Sequence, residues 1–172
     1  AAIRAKGSTD LLLQACHFND TPSSAFLIDE EGTATLLNNS FTSSVGYAVR
    51  AKGGATLTLE GNEFESTVAN EGGFNTAVRV TEDATSISTN NLFSENTGYG
   101  IHADGGHIES SGDTFVGGEY AIYSSTGSVS VTNASITGSI DGGIRARTTS
   151  DNLTVRNSTL AVDPASSTSL ST

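Results

Sequence analysis

Cysteine occurs once in 172 residues, proline twice, and tryptophan and methionine not at all. The lone Cys16 excludes an internal disulfide, so cross-links do not hold the fold together. No apolar run approaches the length needed to cross a bilayer, which leaves no segment for membrane insertion as a helix. Cations are scarce: eight Lys and Arg face nineteen Asp and Glu, for a formal charge of -11. That balance repels a phosphate backbone, so no nucleic-acid partner is expected. Aromatics make up 6% and all hydrophobics 35%, too little for a thick globular core but enough for a thin, repetitive one. The chain opens without Met, at AAIRAKG, already in a strand-like pattern, and reads as a mature or excised piece of a longer product.

What is abundant is Gly, Ser, Thr and Asn, and these residues recur with a period. The segments AIRAKG (from Ala2), AFLIDE (Ala25), AVRAKG (Ala48), AVRVTE (Ala77), GIHADG (Gly100), AIYSST (Ala121) and GIRART (Gly143) follow one another at spacings of 23, 23, 29, 23, 21 and 22 residues. A second landmark fixes the same register. A large apolar residue lies 15 to 17 positions after each segment start, at Phe18, Phe41, Phe64, Phe93, Phe115, Ile136 and Leu160. Seven and five residues before it stand Leu11 and Leu13, Ala34 and Leu36, Leu57 and Leu59, Ile108 and Ser110, Val129 and Val131, Leu153 and Val155. This period-two alternation marks a strand with one buried face. The fourth repeat has Ser86 and Ser88 at those positions, with Ile87 between them, and a bulge is expected there.

Each repeat therefore holds at least two short strands, joined by Gly, Asn and Asp turns, and neither can bury its apolar side alone. Stacking supplies the partner. The fold class expected is all-β: a right-handed, single-stranded parallel β-helix of about seven rungs of 21 to 29 residues. At about 4.8 Å per rung it forms a rod on the order of 34 Å long. Residues 1–162 form the repeat domain and 163–172, DPASSTSLST, a polar tail or cap. About six extra residues around Ala69 to Phe74 in the third rung read as a loop excursion. The motifs LTLEGNEF (Leu57 to Phe64), ATLLNNSF (Ala34 to Phe41) and SISTNNLF (Ser86 to Phe93) resemble the generic repeat of the pectin-lyase-like parallel β-helix superfamily. The resemblance covers the chain to about Val162 and implies architecture only, because the same fold serves lyases, hydrolases, epimerases, tailspikes and adhesins.

Two patterns carry chemistry. The first is the Asn set before the apolar landmark: Asn38, Asn39, Asn62, Asn91, Asn133 and Asn157, with Asn90 and Asp113. A turn repeated in every rung leaves backbone groups at one spot, and stacked, inward-pointing amides satisfy them, so the role expected is structural. Asn38, Asn133 and Asn157 also begin N-x-S/T sequons, as do Asn19 and Asn152, and inward Asn side chains would be closed to glycosylation.

The second pattern is a basic stripe. Two residues past each segment start the outward position reads Arg4, Leu27, Arg50, Arg79, His102, Tyr123, Arg145; two further on it reads Lys6, Asp29, Lys52, Thr81, Asp104, Ser125, Arg147. Seven of the eight Lys and Arg fall in these two columns, and like charges about 4.8 Å apart repel unless something negative lies between them. Three readings stay open. The acids belong either to the chain itself (Asp29, Glu30, Glu31, Glu82, Asp83, Asp104), to another subunit or domain, or to an anionic polysaccharide lying across a flat surface left by Ala48, Ala77, Gly100 and Ala121, with Tyr47, Tyr99 and Tyr120 as stacking platforms. Arg4, Lys6, Arg50, Lys52, Arg79, His102, Arg145 and Arg147 are thus the candidate ligand- or partner-binding residues.

Catalysis is weakly signalled. Arg79, His102, Tyr123 and Arg145 occupy successive rungs beside Asp104 and offer the kinds of group that neutralise a uronate and abstract a proton. The paired-Asp, GHG and RIK segments of polygalacturonase relatives and the DPHE-like motif of alginate epimerase relatives are absent. His17, His102 and His107 are dispersed, so neither a metal nor a cofactor is expected. Thr33 with Thr35 and Thr56 with Thr58 pair on another outward face, but the array fails after two rungs and reads as ordinary strand propensity. Ile3 already belongs to an inward column, so the sequence shows no N-terminal cap, and neighbouring copies or adjoining rungs are expected end to end. The function expected is a non-enzymatic structural or adhesive module, extracellular or at a cell surface, in a longer surface protein or a head-to-tail filament. The alternative is a protein that binds or processes an acidic polysaccharide, as a lyase or epimerase would.

Overall fold

The computed structural model describes residues 1–69, 75–147, 150–161 and 170–171. Seven coils stack in parallel, and each carries three strands rather than the two legible from periodicity. The first strands are Ile3–Lys6, Phe26–Asp29, Tyr47–Ala51, Thr76–Thr81, the leading parts of Tyr99–Ser111 and Tyr120–Thr132, and Gly142–Ala146. The second strands are Asp10–Gln14, Thr33–Leu37, Thr56–Glu60, Thr85–Thr89, the trailing parts of the same two long strands, and Ser150–Arg156. The third are His17–Asn19, Ser40–Thr42, Glu63–Glu65, Leu92–Ser94, Thr114–Val116, Ser135–Thr137 and Thr159–Ala161, which make a seven-stranded sheet of their own. No helix occurs among the described residues.

The register matches the sequence columns. Ile3 pairs with Phe26, Phe26 with Val49, Val49 with Val78, Val78 with Ile101, Ile101 with Ile122 and Ile122 with Ile144. Inside, the landmark residues of the third strands form a slipped stack. Phe18, Phe41, Phe64, Phe93 and Phe115 lie ring on ring, centroids 4.7 to 4.9 Å apart and planes within 10°. Parallel pairing imposes that spacing, and offset stacking adds about 0.5–1.5 kcal/mol per pair to simple burial. Gly100 fits under this stack because a Cβ there would lie 2.7 Å from the Phe115 ring.

Corners are made by left-handed residues. Between first and second strands Glu30 and Glu31, Gly53 and Gly54, and Glu82 and Asp83 all have φ between 56° and 73°. In the fifth and sixth coils the corner opens out, the strand runs through, and the extra residues appear as register shifts after Val80, Ala103 and Gly127. The bulge expected at Ser86 and Ser88 is not there. Both pair in unbroken register and are fully buried; Ser88 Oγ accepts a bond from Asn91 Nδ2 at 3.0 Å, while Ser86 Oγ is buried without a partner among the described residues, and neither distorts the strand.

The excursion expected at Ala69 to Phe74 lies, beyond Ala69, outside the described residues, as does most of the tail from Asp163 to Thr172. Leu170–Ser171 pairs in parallel with Gly142–Ala146.

Candidate functional site

Two buried and semi-buried constellations follow from this geometry. The Asn set divides in two. Asn39, Asn62 and Asn91 are at most 2% exposed and form a continuous ladder with Asp113. Each Oδ1 accepts from the coil below: Cys16 N–H donates to Asn39 (2.9 Å), Asn39 to Asn62 (2.9 Å), Asn62 to Asn91 and Asn91 to Asp113 (2.7 Å each). Each Nδ2 in turn donates to the carbonyl of Leu13, Leu36 or Leu59. The expectation fails for Asn38, Asn133 and Asn157, which are exposed and left-handed, with φ of 49° to 54°. Asn38 turns the chain one residue before the ladder, and Asn133 and Asn157 make the same turn before Ala134 and Ser158, a conformation that Asn tolerates. Their sequons are therefore not closed by inward packing. A second ladder, invisible in the sequence, joins Asn96 Oδ1 to Thr67 N–H (3.0 Å) and Asn96 Nδ2 to the Phe64 carbonyl (3.2 Å).

The stripe likewise divides. In its first half the chain supplies its own anions: Asp29 meets Arg4 (3.3 Å) and Lys52 (3.1 Å), Glu30 meets Lys6 (2.8 Å), and Asp104 meets Arg79 (3.0 Å). Asp29 is only 4% exposed, and although burial opposes its ionisation, the hydrogen bonds and charge of Lys52, with Arg4, hold its carboxyl below the ordinary value. Asp29 and Thr81, expected outward, are both buried; Thr81 sits at the register shift after Val80. The flat surface expected from Ala48, Ala77, Gly100 and Ala121 does not exist, because all four are buried.

The second half is aromatic. All four tyrosines lie on this face, and Arg guanidiniums lie over Tyr47, Tyr120 and Tyr123. Arg79 donates to the Tyr47 hydroxyl and lies 5.3 Å over its ring, with Arg50 at 5.8 Å. Arg145 donates to Tyr120 Oη at 3.1 Å and lies 5.6 Å over that ring, while Arg145 and Arg147 stand 5.9 and 5.7 Å over Tyr123. Among the described residues Arg50, Arg145 and Arg147 have no salt-bridge partner. Tyr99 and Tyr123 stack at 4.8 Å with planes 10° apart, and His102 meets both edge-on, at 5.3 and 5.0 Å.

Beside this cluster opens a recess of about 350 Å³ lined by Asn75, Thr76, Tyr99, His102, Glu119, Tyr123 and Ser125. The His102 Nε2 atom is buried there without a hydrogen-bond partner. Burial, then Arg79, depresses the imidazole pKa to about 4, so the ring is neutral at physiological pH. Burial, then Asp141, pushes the Glu119 carboxyl up, against the opposing pull of Arg145 and a hydrogen bond from Tyr99. Glu119 and Asn75 were missed in the sequence; the one available signal was that Glu119 directly precedes Tyr120 in the column of turn aromatics.

The four candidate catalytic residues stand in register in successive coils, Arg79 beside His102, His102 beside Tyr123 and Tyr123 beside Arg145. Arg79 is turned to Asp104 and Tyr47. An imidazole with a pKa near 4 is a weak proton acceptor. No group of three His, Cys, Asp or Glu among the described residues could hold a metal ion.

No curated protein and no solved structure shows significant similarity to the chain. A family model for the right-handed β-helix region matches residues 1–160, which together with seven stacked parallel coils places the chain in the right-handed β-helix family.

Proposed function

We propose that this chain is a non-enzymatic, extracellular structural or adhesive β-helix module that attaches, through its tyrosine–arginine face, to an anionic polysaccharide. The observation that carries the reading is the Tyr99–Tyr123 stack flanked by Arg145 and Arg147, whose charges no acid of the described residues neutralises at salt-bridge distance. Planar guanidiniums recognise carboxylates or sulfates in two-point fashion, and the half-buried Tyr99 ring adds aromatic surface for sugar C–H faces, while the buried Tyr120 and Tyr123 rings back the arginines. The ion-paired first half of the stripe serves stability instead. Attachment is expected to weaken with salt, as a charge-driven contact does.

The test is affinity electrophoresis in gels containing alginate, polygalacturonate or a glycosaminoglycan, with Tyr123→Ser/Arg145→Ser/Arg147→Ser against the parent. The parent is retarded and the triple variant runs free, with no rise in unsaturated-uronate absorbance. Equal retardation of both would refute the face; accumulating unsaturated product would establish a lyase.

A further inference from the structure

The cations and the recess are ordered along the axis in a way that constrains the ligand. Arg50 stands in the third coil, the recess occupies the fourth to sixth, and Arg145 and Arg147 stand in the seventh, while Arg79 in the fourth is already paired with Asp104. The middle of the face is not basic. It presents the Glu119 carboxylate, the Asn75 amide and the half-buried Tyr99 ring, which stacks on the buried ring of Tyr123. The charged groups around Glu119 are Asp141 and Arg145, with Tyr99 as its hydrogen-bond donor. A second anion brought into the recess would face a carboxylate already destabilised by burial and by Asp141. A ring bearing only hydroxyl or amide groups meets a carboxylate acceptor and an amide, both of which match it.

Resting on the attachment proposed above, we infer that the face selects a polysaccharide in which acidic and neutral residues alternate: the neutral residue enters the recess, and the acidic residues on either side meet the arginines. Glu119 is then the residue that sets specificity, by excluding a charged unit from the centre.

The experiment compares hyaluronan, whose uronates alternate with neutral amino sugars, with polygalacturonate, in which every unit is charged, and with uncharged dextran, by calorimetry at one ionic strength. One uncompensated like-charge contact of about 1.4 kcal/mol corresponds to roughly tenfold in affinity, so hyaluronan is expected to bind about tenfold tighter than polygalacturonate. Glu119→Gln should narrow that gap by strengthening polygalacturonate. If polygalacturonate binds the parent as tightly as hyaluronan does, the selectivity is wrong and the attachment face stands. If neither anionic chain binds, or dextran binds equally well, the attachment face itself is wrong and the selectivity falls with it.

Discussion

Asp113 Oδ1 accepts both the backbone and the side-chain N–H of Asn91, at 2.7 and 3.1 Å, and so occupies an amide's place in a ladder otherwise made of asparagine. Its other oxygen accepts from Ser110 Oγ at 2.6 Å, and the side chain is fully buried. A carboxylate in this position carries a charge that an amide would not. Asp113→Asn is therefore expected to stabilise the fold at neutral pH by about 1 kcal/mol, whereas Asp113→Ala, which leaves the Asn91 donors unmet, costs about 1–3 kcal/mol. Urea midpoints of the two variants and the parent measure both.

Two aspartates impose opposite pH dependences. Burial raises the Asp113 pKa above its ordinary 3.8, so the native state holds more protons than the unfolded chain above that value, and stability falls as pH rises through the window up to the raised pKa. Asp29 is depressed, so its contribution is present above 3.8 and is lost as pH falls below it toward the native value. Unfolding free energy measured against pH should lose its upper slope in Asp113→Asn and its acid-side slope in Asp29→Asn.

A Cβ on Gly61 would lie 2.4 Å from Asn38 Oδ1, and Gly61 itself has a φ of +62°. Gly61→Ala is expected to cost about 1–2 kcal/mol from the left-handed backbone alone, and more from the collision. Adding Asn38→Gly removes the collision and not the backbone strain. A double-mutant cycle should show partial rescue; a fully additive pair would mean the two residues do not meet.

Phe64 lies between Phe41 and Phe93 in the ring stack and is fully buried. Phe64→Ala should cost about 3–5 kcal/mol. Leu12, 59% exposed on a second strand, should tolerate serine within about 0.5 kcal/mol. Thermal unfolding of the pair reads the contrast between inward and outward columns.

The coil register was legible because parallel stacking sets each residue beside its counterpart one repeat away: Phe on Phe, and Ile101 on Ile122. The third strands were not legible, since three residues are too short to show a period. Asn38 and Asn39 were taken together because adjacent asparagines look alike, while the sign of φ sends one outward and one into the ladder. The basic columns were found, but their division was not. Whether a cation meets Asp29 or a tyrosine ring depends on corner geometry, which places a turn carboxylate in contact with Arg4 and Lys52 and, among the described residues, none within salt-bridge distance of Arg145. Glu119 escaped because it precedes its strand, where periodicity assigns no side.

The attachment face is tested most directly by mapping amide and tyrosine-ring NMR shifts during titration with hyaluronan. The account predicts perturbations confined to the neighbourhood of Tyr99, His102, Glu119, Tyr120, Tyr123, Arg145 and Arg147, with the Thr33, Thr35, Thr56 and Thr58 face unmoved. Shifts centred on the threonine face, or a titration that moves nothing, would contradict it.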